Sequence, residues 1–242
     1  LDWENLYARE FLASLVQAIE TEDSTNKYQD VLTLLKEWDQ IDDPEQAAPL
    51  VFHKLMKQLP KTMFEGEMPE DVYEMLPGKG QLTDQWLRAG FSGEKRAWLE
   101  QYGGVDKWVF DAFETSIQEI EEEFGTNMKK WRWGDYHQVA FPHPLASASP
   151  ILEKVLNPAK RPLGGSNVTV QAAAFTEDGT VNHGAPWRFV ADLEDLSSSY
   201  QIVGPGVSGH IRSKWFDHHV DDWVEGNFHE TVLVGDVEDG FE

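Results

Sequence analysis

The 242-residue sequence contains no cysteine. Disulfide bonds, a cysteine nucleophile and a thiolate metal site are therefore excluded, and an exported bacterial protein would fit this composition. Long apolar runs are missing too, because no stretch approaches the roughly 20 residues of a membrane-spanning helix. We expect a soluble chain without a membrane partner. No signal peptide is recognisable and the first residue is Leu1 rather than methionine, so we expect a cut or processed start.

Basic side chains are scarce. Lysine and arginine together number 20 against 43 aspartates and glutamates, which gives a formal net charge of −23. The excess is spread along the chain, with 29 acidic and 17 basic residues up to residue 161 and 14 and 3 after it. Binding to phosphate groups needs clustered basic residues. We therefore expect neither nucleic acid nor an anionic membrane surface as a partner.

Hydrophobic residues make up 40% of the chain, enough for a core. Over residues 1–130 they recur at the three- and four-residue intervals of amphipathic helices. The last of these apolar stripes ends at Gly125, and glycine is typical of a helix end. The pair Asp43-Pro44 is typical of a helix start. A helical subdomain over residues 1–130 is predicted. Its apolar stripes are Trp3, Tyr7, Phe11, Leu15 and Ile19; Tyr28, Val31, Leu32, Leu35 and Trp38; Val51, Leu55 and Leu59; and Val109, Phe113, Ile117, Ile120 and Phe124.

The pattern changes over residues 131–242. Residues 142–165 are rich in proline and end in two glycines, which favours an ordered traverse rather than a helix. Apolar residues then alternate with polar ones over residues 168–174, as in a half-buried strand, and Asp178-Gly179 is typical of a hairpin turn. Two further strands and a last helix are predicted, over residues 187–193, 200–203 and 214–224. The predicted fold class is α+β, a helical subdomain followed by antiparallel strands.

A glycine-rich segment, Gly204-Pro-Gly206-Val-Ser-Gly209, matches the G-x-G-x-x-G pattern of dinucleotide-binding loops and lies between a predicted strand and a predicted helix. Pro205 lacks the backbone N–H that a phosphate group needs. Only 33 residues follow the motif, too few for the rest of that fold. A structural glycine turn is therefore favoured over a cofactor site.

Acidic and histidine side chains offer weaker signals. His218 and Asp222 lie four residues apart on one face of the predicted last helix, a spacing that can hold zinc. No third ligand is apparent, so a solvated acidic helix end is favoured. His137 and His143 are interpreted as hydrogen-bonded structural histidines. The run 121–123 of three glutamates is interpreted as a solvated helix face rather than half of a carboxylate pair for glycoside hydrolysis.

No nucleophile with a base is recognisable. The sequence has no G-x-S-x-G elbow and no S-x-x-K in a supporting context. Ten tryptophans could form sugar-stacking platforms, although most lie in helical stripes and are better explained as core. We predict no catalytic residue, no cofactor-binding residue and no metal ligand in this chain.

Four blocks in the last 110 residues share the order and spacing of a known family. They are Trp131–His137 with Phe141–Leu145 (WRWGDYH, FPHPL), Gly164–Val170 (GGSNVTV), Gly184–Leu193 (GAPWRFVADL), and Gly206–Gly209 with Ser213–Phe228 (GVSG, SKWFDHHVDDWVEGNF). They resemble W-x-W-G-x-x-H…F-x-H-P-L, P-G-G-x-x-T-V, G-A-S-W-R-x-V-x-D-L and G-Q-S-G…S-P-H-Y-D-D-Q…W-x-x-G-x-Y of the penicillin amidase (penicillin acylase) family of N-terminal-nucleophile hydrolases. The helical region is similar more loosely, mainly over residues 34–39. Departures at Pro186, Val207, Lys214-Trp215 and His219 suggest a distant branch.

The resemblance implies a C-terminal part of the β chain of an amidohydrolase whose precursor cuts itself into an α and a β chain. In that family the β chain begins with a serine whose own α-amine is the base. Such an amine titrates near about pH 8, so it is partly neutral at working pH. The nucleophile, the oxyanion hole and the calcium ligands lie upstream of the matched segment. Leu1 has the amine but no nucleophilic side chain, so no catalytic residue is carried over.

The resemblance further implies that the parent enzyme hydrolyses a linear amide, such as the acyl side chain of penicillin or a related N-acyl compound. The parent is expected to be secreted or periplasmic, and the fragment alone to be inactive. Its strands would form part of an αββα sandwich, with the α chain and the rest of the β chain as partners and no cofactor in this chain. The alternative is a stand-alone acidic helical interaction module or carbohydrate-binding module. The acyl group (phenylacetyl, phenoxyacetyl, glutaryl or fatty) is left open, because the pocket lies upstream.

Overall fold

The computed structural model describes residues 2–64, 67–75 and 79–231. The chain divides into two compact units: Glu4–Trp133 forms one, and residues 2–3 and 134–231 lie in the other. The first is helical, and the second holds the strands of the described chain, so the predicted α+β class is confirmed. None of the helices in the described ranges is long and apolar enough to cross a membrane.

The helical unit is built around three long helices. Its described elements are α1 (Leu6–Glu22), α2 (Gln29–Glu37), α3 (Ala48–Phe64), α4 (Glu70–Met75), α5 (Lys79–Phe91), α6 (Ala97–Tyr102), α7 (Val105–Phe124) and a 3₁₀ turn at Met128–Lys130. Both α1 and α3 pack against α7. The predicted apolar stripes form these contacts, since Phe11, Leu55 and Phe113 are each at most 2% exposed.

Local chemistry fixes the ends of two of these helices. The side chain of Asn5 caps α1 by accepting a hydrogen bond from the Ala8 N–H at 2.8 Å, which satisfies one of the donors that a helix start leaves free. Gly125 ends α7 as predicted, and its φ of +80° is a conformation that other residues adopt only with strain. Trp3 was wrongly assigned to the α1 stripe, because it belongs to the strand-rich unit, where its indole N–H donates to Gln171 Oε1.

The predicted start of the third helix at Asp43-Pro44 is wrong. The helix α3 begins at Ala48. The carboxylate of Asp43 accepts the Glu45 N–H at 2.8 Å, and its carbonyl accepts the Gln46 N–H at 3.1 Å. These bonds close a separate turn, so the capping chemistry of Asp43 serves that turn rather than the helix.

The second unit contains two small sheets. Its strands are β1 (Gln138–Val139), β2 (Arg161–Pro162), β3 (Ala173–Phe175), β4 (Thr180–Gly184), β5 (Trp187–Val190), β6 (Tyr200–Val203) and β7 (His229–Glu230). One sheet has the order β2-β1-β4-β3, in which only β1 and β4 run parallel; the other is antiparallel with the order β5-β6-β7. A shared core includes Val139, Val181, Ile202 and Trp223.

The strand predicted over residues 168–174 is much shorter, and Val168 and Val170 lie in a turn that precedes β3. Thr169 is the cause, since its hydroxyl accepts the Ser166 N–H at 2.9 Å and donates to the Gln171 carbonyl at 2.7 Å. The turn leaves Val170 73% exposed. The alternation of apolar and polar residues over 168–172 therefore does not form a strand.

The hairpin predicted at Asp178-Gly179 is confirmed, since β3 and β4 pair antiparallel on either side of it. Gly179 has a φ of +78°. A Cβ added to it would lie 2.2 Å from the Tyr136 carbonyl oxygen. Both the conformation and the close approach require glycine at this position.

Two predictions about helices in the second unit are wrong. The segment 142–165 contains a helix, α9 (Pro150–Leu156), because the Ser149 hydroxyl caps it and proline occupies its first turn, where no N–H is needed. The last helix, α10 (Val220–Glu225), starts six residues later than predicted. Residues 213–216 belong instead to a loop in which the Trp215 carbonyl accepts two backbone N–H groups. The other described elements here are α8 (Trp133–Tyr136) and 3₁₀ turns at Ala146–Ala148 and Leu196–Ser198.

Candidate functional site

A buried polar network lies at the start of the helical unit and joins three segments of the chain. His53 on α3 places Nε2 2.9 Å from Asp42 Oδ2. The Asn5 side-chain amide lies 3.0 and 3.1 Å from the two Asp42 oxygens, and 3.1 Å from His53 Nε2. Asn5 and Asp42 are fully buried and His53 is 5% exposed. The Trp133 ring stacks on the imidazole at 4.6 Å between centroids.

No sequence pattern predicted this network, because its three members come from separate segments of the chain. An imidazole held by a carboxylate is half of a nucleophile-activating arrangement. Here the Nε2 atom that would face a nucleophile is occupied by Asp42 and Asn5, and the ring is covered by Trp133. The network therefore stabilises the unit rather than offering a reaction centre.

A second cluster on α1 and α5 contains a buried acid. Asp84 is 5% exposed; Tyr7 donates a short hydrogen bond to its Oδ2, and no group of the described residues donates to its buried Oδ1. Desolvation raises the pKa of Asp84, partly opposed by the Tyr7 hydrogen bond and by Arg88. Burial, followed by the contact with Asp84, raises the pKa of Tyr7 to about 12. Arg88 is held by Glu10 through two bonds of 2.5 and 2.8 Å.

We expect Asp84→Asn to raise the midpoint of thermal unfolding at pH 7. A folded pKa above the unfolded value means that the native state binds this proton more tightly, so the associated stability is present at acidic pH and is lost as pH rises through the folded pKa. The neutral amide removes that loss and still accepts from Tyr7. The gain should shrink toward pH 4, near the unfolded pKa of about 3.9. The control is Asp30→Asn, a change at an exposed acid on α2, which should not raise the midpoint. A lower midpoint for Asp84→Asn than for the unchanged protein at pH 7 would contradict the conclusion that the buried Asp84 carboxylate destabilises the fold.

Three histidines cluster beside α10, where zinc binding was considered. The rings of His218 and His219 lie 3.8 Å apart, and those of His219 and His229 4.9 Å apart. His219 Nδ1 bonds the Val203 carbonyl, and His229 Nε2 bonds Asp222. Desolvation first, and then repulsion by the neighbouring imidazoles, lowers the pKa of His218. No group of three His, Asp or Glu side chains within the described ranges is arranged to hold a metal ion.

That finding also bears on calcium. The family resemblance implies a calcium ion in the parent enzyme, and the described side chains of this chain do not fit such a site.

The glycine motif at residues 204–209 does not form a phosphate-binding loop. The N–H groups of Val207 and Ser208, which would face a phosphate, donate to the Trp215 carbonyl at 3.1 and 3.0 Å. A Cβ on Gly206 would lie 2.5 Å from the Phe216 carbonyl oxygen. The glycines thus allow two stretches of backbone to meet, as expected of the structural glycine turn that the sequence favoured.

The other singled-out residues have structural partners. His137 is fully buried, with Nδ1 2.6 Å from the Leu163 carbonyl and Nε2 3.1 Å from that of Ala173. His143 accepts the Leu145 N–H. The three glutamates at 121–123 are exposed on α7, and one of them, Glu123, pairs with Lys54 at 3.0 Å. These singled-out residues therefore have structural partners or lie on an exposed helix face, and Leu1 lies outside the described residues.

Two surface pockets lie in the helical unit. One, of about 390 Å³, lies between Trp38 and Arg132, and the other, of about 280 Å³, between Tyr28 and Trp131. In the first, the Arg132 guanidinium already donates to the Lys129 and Trp131 carbonyls. Neither pocket brings together a nucleophile and a base.

Comparisons with known proteins place the chain in a larger context. The model of the penicillin amidase family matches residues 1–234. Penicillin acylase 2 proenzyme of Pseudomonas sp. (strain SE83) is 33% identical over 125 residues, which is 51% of this chain and 16% of that protein. The thermostable penicillin G acylase of Alcaligenes faecalis aligns over 100% of this chain and 46% of its own, with a TM-score of 0.55 and 16% identity.

At 16% identity, the similarity to the solved acylase shows a shared fold and nothing further. The chain spans less than half of the solved acylase chain and about a sixth of the curated proenzyme. The alternative of a stand-alone interaction or carbohydrate-binding module is not favoured, because the family match runs through both units. From the extent of that match, the chain belongs to the penicillin amidase family.

Proposed function

We propose that this chain is the C-terminal part of the β chain of an enzyme that hydrolyses a linear amide, releasing the acyl group of penicillin or of a related N-acyl compound. The observation that carries the proposal is the family match over residues 1–234. One relative is named as a penicillin acylase proenzyme, which supports a precursor and a partner chain for this protein as well.

The contribution of these residues to catalysis is structural. Two buried histidines that could act as a base are held by structural partners: His53 by Asp42, and His137 by two carbonyls. The nucleophile, its base and the oxyanion donors belong to the rest of the enzyme. The chain supplies a helical unit and a strand-rich unit, and we assign no catalytic residue to it.

The test compares two samples. The complete polypeptide that contains this sequence, after any self-cleavage, should hydrolyse a chromogenic N-acyl amide, with acyl groups from phenylacetyl to fatty tried in turn. The 242-residue chain alone should show no turnover, because no activated nucleophile was identified among the residues that the structure describes. Turnover by the isolated chain that a mutation within it abolishes would refute the structural role. A complete polypeptide inactive on every acyl group would refute the amidase assignment.

A further inference from the structure

Three imidazoles meet where the end of β6, the start of α10 and the strand β7 come together. The ring centroids of His218 and His219 lie 3.8 Å apart, and those of His219 and His229 lie 4.9 Å apart. We call these three rings the imidazole stack. Histidine is the side chain whose charge changes between about pH 5 and pH 8. One corner of the strand-rich unit therefore holds three groups that mild acid can charge.

The imidazole stack attaches α10 and β7 to β6. His219, the residue before α10, places Nδ1 2.9 Å from the carbonyl oxygen of Val203, the last residue of β6. His229 is one of the two residues of β7, and it pairs with Gln201 of β6. Its Nε2 also lies 3.1 Å from Asp222 Oδ2 on α10. A change in the charge of the rings therefore acts on both contacts of β6, with α10 and with β7.

His218 has no suitable place for a second ring proton. Its Nδ1 is buried and has no hydrogen-bond partner among the described residues, and the Trp215 ring packs edge-on against it at 4.9 Å between centroids. A neutral imidazole carries a proton on one nitrogen, whereas the cation carries one on each. Protonation therefore leaves a buried donor unpaired. Burial first, and then repulsion by His219, lowers the pKa of His218, opposed more weakly by the Trp215 backbone and by Asp217.

The segments around the imidazole stack carry further ionisable side chains. They are His210, Arg212, Lys214 and Asp217 in the loop before α10, Asp221, Asp222 and Glu225 on α10, Glu230 on β7 and Tyr200 on β6. Asp222 can balance a charge on His229, whereas Asp221 is already paired with Arg161 at 2.8 Å. The Lys214 ammonium lies 4.4 Å from the centre of the Trp215 ring and adds positive charge on that side. Charges on His218 and His219 therefore repel each other, and Asp217 offsets this repulsion only in part.

We propose that the imidazole stack is a pH switch: its uncharged rings hold α10 and β7 on β6 at neutral pH, and their repulsion in mild acid releases both elements. The switch goes beyond the proposed function and does not depend on it. The folded corner binds the His218 proton less tightly than the unfolded chain does. The stability from His218 is therefore complete above the unfolded pKa of about 6.5, and it is lost as pH falls from there through the folded pKa. Release exposes the edge of β6 that β7 covers at Tyr200 and Gln201.

Hydrogen exchange of the complete polypeptide, read by mass spectrometry at about pH 7.5 and about pH 5.5, tests the switch on either side of the histidine range. The rates are corrected for the intrinsic effect of pH on exchange, so that they report local opening. Peptides over residues 217–231 should open several-fold more at the lower pH, while peptides from α7 keep their protection. Returning the sample to the higher pH should restore the original exchange.

Two variants show whether the stack causes the opening. His218→Phe keeps an aromatic ring in place and removes its charge, so it should lose most of the rise at low pH. His183→Phe, at an exposed histidine on β4, is the control and should keep the full rise. Three results would overturn the switch: no rise over residues 217–231 in the unchanged protein, an equal rise in α7, or the same rise in both variants. The first two come from the unchanged protein and do not depend on the folding of either variant.

Discussion

Replacing Asp42 by alanine should lower the free energy of unfolding of the helical unit by about 3–5 kcal/mol, because removing one partner from a buried, hydrogen-bonded network is strongly destabilising. The change removes two contacts of the Asn5 amide, at 3.0 and 3.1 Å, and one of His53 Nε2, at 2.9 Å. Removing one partner of a buried hydrogen bond costs about 1–3 kcal/mol. Asn5 also caps α1, so the loss should spread to the start of that helix.

The matched control is Glu20→Ala, which removes a carboxylate from an exposed pair with Lys36 at 2.5 Å, where the two side chains are 39% and 49% exposed. Exposed pairs contribute about 0–1 kcal/mol. Hydrogen exchange of peptides from α1 and α3 measures the two variants locally, which avoids assuming that both units unfold together. Equal exchange in Asp42→Ala and Glu20→Ala would show that the network contributes no more than a surface ion pair.

The helices could be predicted from the sequence because a single physical signal decides them. The period of the apolar residues around Phe11 and Phe113 follows from burying one face of a helix, and these side chains are indeed at most 2% exposed. The end of α7 could be predicted at Gly125 from backbone sterics alone. Helix signals of this kind are local, so one sequence suffices to find them.

Errors arose where short polar side chains compete for the backbone. Asp43 forms a turn instead of starting α3, Thr169 closes a turn inside a predicted strand, and Ser149 starts a helix in a proline-rich segment. The residue types were visible, but several local hydrogen bonds are open to each of them. Packing against distant residues decides among these bonds, and a sequence does not show that packing.

The candidate site was the least predictable part. Asn5, Asp42 and His53 come from three separate segments, and their spacing carries no pattern that predicts a meeting. The glycine motif at 204–209 is the opposite case, a sequence pattern without its usual function, since the Trp215 carbonyl accepts the N–H groups that a phosphate would need. Resemblance to a family led to the proposed function, which neither periodicity nor spacing could indicate.

Two tryptophans near the same sheet should behave in opposite ways when replaced by alanine. Trp223 is 3% exposed, and its ring meets Phe141 edge-on at 5.6 Å and carries Arg188 at 4.0 Å. Trp223→Ala should lower the free energy of unfolding by about 3–5 kcal/mol, the range for emptying a large core site. Burial lowers the pKa of Arg188 to about 10, so it stays cationic at neutral pH. The variant would leave that cation without its aromatic partner, which adds to the loss.

Trp187→Ala is the matched change on β5, where 57% of the side chain is exposed. It removes little packing and should alter the free energy of unfolding by less than about 0.5 kcal/mol. Urea unfolding of the two variants, followed by circular dichroism, measures both changes. A loss for Trp187→Ala as large as that for Trp223→Ala would contradict the placement of Trp223 in the core and of Trp187 at the surface.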